Sequence, residues 1–120
     1  MPDSPSIFAR IIAREIPADI VFENERIIAI TDINPQADVH LLVIPKHAYA
    51  NVTDLAAADP VLLAEVVSVA QMLATERAGG EYRLVFNTGA STGQTVFHVH
   101  GHVLGTQGRG RELQEGSLAL

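Results

Sequence analysis

Three of the chain's five histidines stand at alternate positions in His98-Val99-His100-Gly101-His102-Val103-Leu104. Extended backbone points alternate side chains to one face, so the segment is expected to present a row of imidazoles. As core residues, each ring would need its own hydrogen bonds, and stacking three titratable groups costs desolvation without improving packing. As metal ligands they are poorly spaced: strand residues two apart are about 6.6 Å apart, whereas Zn–N bonds are about 2 Å. One ion could still take two of them, completed by His40 or Asp32, although no Cys and no His-Glu-x-x-His pattern supports a metal. The third reading is chemistry at a phosphoryl centre. A neutral imidazole is a nucleophile near pH 7, and a neighbouring imidazolium donates to phosphate oxygens or to a leaving group. Each charge disfavours protonation of its neighbour, so such a cluster titrates as a unit.

The loop before this segment, Gly89-Ala90-Ser91-Thr92-Gly93-Gln94-Thr95, reads on its own as a hairpin connection. Beside three histidines, its glycines would also let backbone N–H groups approach phosphate oxygens. Asp32, just before Asn34-Pro35, reads by itself as a turn-initiating aspartate.

The elements that must position these residues follow from periodicity. Ser4-Pro5-Ser6 introduces Ile7, Phe8, Ile11, Ile12 and Ile16, an amphipathic helix with a serine cap that Pro17 stops. The runs 20–22 and 27–32 read as a hairpin, and 39–44 as a strand apolar on both faces and therefore central. Asp59-Pro60 opens a long helix with Leu62, Val66, Val69, Ala70 and Leu73 on one face, ended by Gly79-Gly80. A strand at 82–87 leads into the loop and the histidine strand. Helices and strands do not alternate regularly, so the expected class is α+β with an antiparallel sheet.

Composition narrows the partners. The 120 residues suit one domain, expected to have its core at about 6–105 and a polar tail at 106–120. A net charge of -6 argues against nucleic acid as partner, since that affinity comes from many Lys and Arg contacts. Zero cysteines remove disulfides and thiolate chemistry. No apolar run approaches a membrane span and no leader is evident at Met1, so the expectation is a cytoplasmic protein without membrane contact. The Gly-rich tail, with Gly108-Arg109-Gly110-Arg111 and a Leu118-Ala119-Leu120 end, is expected to be flexible or ordered by a partner chain.

The histidine segment resembles the signature of the histidine-triad (HIT) family, in which three histidines alternate with apolar residues, and within it the Hint branch of purine nucleoside phosphoramidases. The resemblance covers about residues 6–105. It includes Ser6-Ile7-Phe8-Ala9-Arg10-Ile11-Ile12, Glu15-Ile16-Pro17-Ala18, Asp32-Ile33-Asn34-Pro35-Gln36-Ala37, His40-Leu41-Leu42-Val43-Ile44-Pro45-Lys46 and Gly93-Gln94-Thr95-Val96-Phe97-His98. It implies a HIT-like α+β fold, an antiparallel sheet of about five strands with two helices, the sheet extended across a homodimer.

The resemblance also implies a site for an AMP-like purine nucleotide. His100 would attack the α-phosphorus to form a nucleotidyl-histidine, which water then hydrolyses. His40 and His102 match phosphate-contacting positions, and His98 matches the one that orients the nucleophile. Asn87 and Thr95 match phosphate-site positions, with Gly93 and Gln94 beside them. Asp32 would take the ribose hydroxyls, and Ile7, Phe8, Ile11, Ile30 and Ile33 would wall the base. No cofactor and no metal are implied: Ser6 and Ala9 stand around the positions where some bacterial relatives carry zinc-binding cysteines. The expected reaction is cleavage of the P–N or mixed-anhydride bond of nucleoside 5′-phosphoramidates or acyl- and aminoacyl-adenylates. The alternatives are a nucleotide-binding regulatory module, a dinucleoside polyphosphate hydrolase of the Fhit branch and a metal-dependent enzyme. Gly101 departs from the family pattern, standing where a bulky apolar residue is usual. The tail lacks a Trp that some Hint proteins send across the dimer interface.

Overall fold

Alternating apolar side chains need cover on both faces of a sheet, and the computed structural model, which describes residues 5–107 together with 112 and 113, supplies it from helices on opposite sides. The elements are α1 (Ile7–Ile12), β1 (Ile20–Glu23), β2 (Ile27–Thr31), β3 (Val39–Pro45), α2 (Val52–Ala58), α3 (Pro60–Arg77), β4 (Arg83–Val85) and β5 (Gly101–Gly105). The strands form one antiparallel sheet in the order β1-β2-β3-β5-β4. β3 is central, and all seven of its residues are buried, as its two-sided apolar pattern requires.

Register sorts the faces. Ile27, Ala29, Val39, Leu41, Val43 and Val103 pack against Leu55 of α2 and Leu62, Val66, Val69, Ala70 and Leu73 of α3. Ile28, Ile30, Leu42 and Ile44 pack against Phe8 and Ile11 of α1. Because Leu42 pairs with His102 and His40 with Leu104, both histidines share the α1 face with Leu42 and Ile44. Among the described residues no helix is long and apolar enough to cross a membrane.

Three local features differ from the sequence expectation. The first helix does not run to Pro17. It ends at Ile12, and Arg14 then takes a left-handed φ of 64°, turning the chain back toward β1. α2 was not expected. Its Asn51 cap accepts from the Asp54 N–H at 2.9 Å and its Leu55 is wholly buried, but Ala56-Ala57-Ala58 leaves no apolar stripe to read. Finally, β5 begins only at Gly101, so His98 and His100 precede the ladder instead of lying in it. The expectations for Ser4, Gly108-Arg109-Gly110-Arg111 and Leu118-Ala119-Leu120 lie outside the described residues.

Gly101 has a steric role that its position in a strand did not disclose. A Cβ there would lie 2.9 Å from Leu84 Cδ1 and 3.0 Å from Phe86 Cζ. The Phe86 ring thus occupies the space a larger residue would fill on the side of the sheet away from the histidines. Gly101→Ala is expected to destabilise by about 1–3 kcal/mol through overpacking, read as a lower urea midpoint. Phe86→Leu in the same chain should recover part of that loss, and a Gly101→Ala variant with an unchanged midpoint would refute the close contact.

Candidate active site

His40 on β3 and His102 on β5 sit on adjacent strands, one pair out of register on the same face, with ring centroids 5.2 Å apart. His100, two residues before His102, has its centroid 5.2 Å from the His102 ring. These three rings converge. His98 does not join them: it is 1% exposed and its ring is turned into the protein. Its Nε2 lies 2.7 Å from the Pro45 carbonyl and its Nδ1 3.1 Å from Ser6 Oγ. Phe8 of α1 stands edge-on to both rings, its centroid 4.8 Å from that of His100 and 6.1 Å from that of His98.

The hydrogen bonds assign the protons. A carbonyl can only accept, so His98 carries its proton on Nε2 and His100, whose Nδ1 lies 2.9 Å from the His98 carbonyl, carries one on Nδ1. That leaves the His100 Nε2 lone pair for chemistry. A backbone N–H can only donate, so the Gln36 N–H, 3.0 Å from His40 Nδ1, makes that atom an acceptor and places the His40 proton on Nε2. His40 Nε2 in turn lies 3.0 Å from His102 Nδ1 and 3.3 Å from Asp32 Oδ2. His102 therefore accepts on Nδ1 and holds its proton on Nε2, ready to donate.

The same wiring answers the metal question. Asp32, His40 and His102 each bring one ligand atom to within 4.8 Å of the others, the arrangement a cation needs. Yet a metal-bound histidine donates its second nitrogen's proton to an acceptor. The second nitrogen of His40 faces a donor, so its proton must occupy the atom that would bind metal. The cluster fits a hydrogen-bond relay and does not fit a resident cation.

Beside these rings lies an open cleft of about 430 Å³, lined by Asp32, Asn34, Gln36, His40, Asn87, Gly93, Thr95, His100 and His102. Of the residues singled out from sequence, Asp32, Asn87, Gly93 and Thr95 thus gather at the converging imidazoles. Gln94 does not. It is 3% exposed, its Oε1 accepts from the Gly89 N–H, and its Nε2 donates to the carbonyls of Ala50 and Val96. Gln94 fastens the loop to the segment after β3. Within the loop, the N–H groups of Thr92, Gly93 and Gln94 bond to carbonyls of Gly89 and Ala90 around a short 3₁₀ turn at Ala90–Thr92. The side chains of Asn87, Thr95 and His102 bring hydroxyl, amide and imidazole groups to the cleft lining.

The apolar wall divides similarly. Phe8, Ile11 and Ile30 are buried in the core beneath α1, while Ile7 is 47% and Ile33 99% exposed. None of the five lines the cleft as drawn by its surrounding atoms. Ser6, the Gln36 N–H and the Pro45 carbonyl are the site partners that sequence reasoning did not assign. Ser6 was legible only as a helix cap, and main-chain groups carry no residue-type signal.

Burial is the main cause of every shift in the histidines' basicity. It lowers His40 against the opposing pull of Asp32, and lowers His98 against the Pro45 carbonyl. His100 is lowered by burial despite its bond to the His98 carbonyl. His102 falls furthest, from 6.5 to about 4, through burial and then repulsion from His100 and His40. The Asp32–His40 contact is accordingly a neutral imidazole donating to a carboxylate, not an ion pair. An unfolded His102 takes a proton that the folded one refuses, so stability is complete above pH 6.5 and declines as pH falls toward about 4. Urea midpoints measured across that window should fall with acidification and fall less in His102→Asn; an equally steep fall in the variant would contradict the assignment.

Comparison with known proteins identifies the family and the fold. The family model described as "Scavenger mRNA decapping enzyme C-term binding" matches residues 5–115. The purine nucleoside phosphoramidase of Escherichia coli (strain K12) is 41% identical over 102 residues, 83% of this chain and 86% of that protein. The structure of a HIT family hydrolase from Legionella pneumophila superposes with a TM-score of 0.84 at 42% identity, covering 93% of this chain and 98% of that one. A HIT family hydrolase from Clostridium thermocellum gives a TM-score of 0.82 at 40% identity over 98% of each chain. The chain belongs to the histidine-triad (HIT) family, whose solved members include hydrolases of this same fold.

Proposed function

We propose that this protein hydrolyses nucleoside 5′-phosphoramidates or acyl- and aminoacyl-adenylates, with an AMP-like purine nucleotide as the retained half. The observation that carries this reading is the bond from His100 Nδ1–H to the His98 carbonyl, which leaves a neutral, unprotonated Nε2 beside a polar cleft. In the first step the Nε2 lone pair attacks the α-phosphorus and the P–N or P–O bond to the leaving group breaks. The leaving nitrogen or oxygen takes up a proton as it departs, with Thr95 Oγ1 and His102 Nε2 as the adjacent donors. Water then attacks the nucleotidyl-histidine, its oxygen joining phosphorus as the P–N bond to His100 breaks; the water's proton passes to the group that protonated the leaving atom, restoring it, and the nucleotide is released. His40 keeps His102 oriented as a donor to the phosphate oxygens. Asp32 accepts from the ribose hydroxyls: Oδ1 already takes the Asn34 N–H at 2.8 Å, and each carboxylate oxygen keeps a further lone pair. The phosphoramidase named among the relatives supports the P–N substrate.

The active form is proposed to be a homodimer. Among the described residues β4, three residues long, is an edge strand of the sheet, and α3 leaves Val61, Val67 and Met72 exposed. Sedimentation equilibrium should give twice the chain mass at micromolar concentration, and a monomer mass there would dismiss the dimer.

His100→Ala is expected to lose about 10² to 10⁴ in single-turnover cleavage of adenosine 5′-phosphoramidate, while calorimetry still registers AMP binding. Undiminished turnover by that variant would exclude His100 as nucleophile. Tight AMP binding by the unmodified protein with no cleavage would favour a regulatory nucleotide-binding module.

A further inference from the structure

The carbonyl that holds the His100 proton is not itself held by the sheet. β5 pairs with β3 only from Gly101 onward, so His98, Val99 and His100 lie outside the ladder. A single main-chain bond fastens them among those described, from the Val99 N–H to the Tyr49 carbonyl at 2.7 Å. What otherwise locates the His98 backbone is its own side chain, anchored at both ring nitrogens. One anchor is the Pro45 carbonyl on β3. The other is Ser6.

Ser6 Oγ does two things. It accepts from the Ala9 N–H at 3.0 Å as the cap of α1, and it lies 3.1 Å from His98 Nδ1. Since His98 carries its proton on Nε2, Nδ1 has only a lone pair to offer, and the Ser6 hydroxyl proton is the donor. The chain of bonds therefore runs from the Ala9 N–H to Ser6 Oγ, from the Ser6 hydroxyl to His98 Nδ1, and from His98 Nε2 to Pro45. At the His98 main chain, the carbonyl receives the His100 Nδ1 proton at 2.9 Å. The docking of α1 and the tautomer of the nucleophile share one hydroxyl.

We propose that Ser6 is a positioning residue for the nucleophile: its hydroxyl, by donating to His98 Nδ1, fixes the His98 ring and main chain so that the His98 carbonyl holds His100 with a bare Nε2. Ser6 is not among the residues that line the cleft. Its effect should therefore appear in kcat and in the His100 tautomer and leave nucleotide affinity alone. This inference rests on the proposed hydrolase for its kinetic readout only.

The informative variants are Ser6→Gly and Ser6→Thr. Glycine at a helix cap preserves nearly all the stability that serine provides but has no hydroxyl, whereas threonine keeps the hydroxyl. Ser6→Gly is expected to lower kcat on adenosine 5′-phosphoramidate by about three- to tenfold, the kinetic equivalent of one neutral hydrogen bond. KM and the calorimetric affinity for AMP should stay within about twofold of the parent. Imidazole ¹⁵N shifts should show His98 Nδ1 losing its donor and His100 a reduced Nδ1–H population, and Ser6→Thr should restore both kcat and shifts. A Ser6→Gly protein with the parent's kcat and His100 shifts would overturn the proposal. So would a Ser6→Thr protein as impaired as Ser6→Gly, which would make side-chain shape the cause. If the parent protein leaves phosphoramidates intact while the His100 shifts move in Ser6→Gly and return in Ser6→Thr, the hydrolase reading fails and the positioning role stands.

Discussion

The hydrogen bond between His100 Nδ1 and the His98 carbonyl decides which nitrogen of the central imidazole can act, and much of the surrounding structure serves to keep it made. An imidazole in water exchanges tautomers freely and spends part of its time charged. Here burial keeps the rings neutral, and each neutral ring has one proton whose place is set by a partner able only to accept or only to donate. The Pro45 carbonyl sets His98, the His98 carbonyl sets His100, and the Gln36 N–H sets His40 and through it His102. Three of these four assignments come from main-chain groups, which cannot rotate to suit the other tautomer.

The sheet supplies the geometry for half of this arrangement. Pairing of β3 with β5 brings His40 and His102 onto one face, and a one-residue slip would send either ring into the opposite core among the α3 side chains. The other half lies beyond the end of the ladder, where side chains take over from backbone pairing. There α1 reaches across with Ser6 and Phe8, and Gln94 ties the glycine loop to the segment after β3. The candidate site stands at this boundary, where the chain can leave the pleat and let His98 turn inward while His100 and His102 turn toward the cleft.

Charge is used sparingly. The chain is acidic overall, and the cleft carries the Asp32 carboxylate and no lysine or arginine among its lining residues. An anionic ligand there would meet neutral hydroxyl, amide and imidazole groups, and the hydrogen bonds of His40, His100 and His102 set the directions of the imidazoles. Preorganised dipoles of this kind stabilise developing charge without the cost of reorienting solvent.

Much of this protein was legible in its residues one after another. Strand β3 announced its central place by being apolar on both faces, α3 by its spacing and its Asp59-Pro60 start, and the candidate site by three alternating histidines. Gln94 misled because a polar residue in a glycine loop looks available to a ligand, and only the fold shows it consumed by Gly89, Ala50 and Val96. Ile33, expected as part of an apolar wall, stands in solvent in the turn after Asp32, a placement its residue type did not announce. Local order along the chain determined which elements form and which residue types the site can draw on, since propensity and periodicity are properties of neighbours in sequence. Which imidazole faces the cleft, where each proton rests and which hydroxyl meets the His98 ring were decided only by tertiary structure, because those depend on groups such as Ser6 and His98 that lie ninety-two residues apart and meet only when the chain has folded.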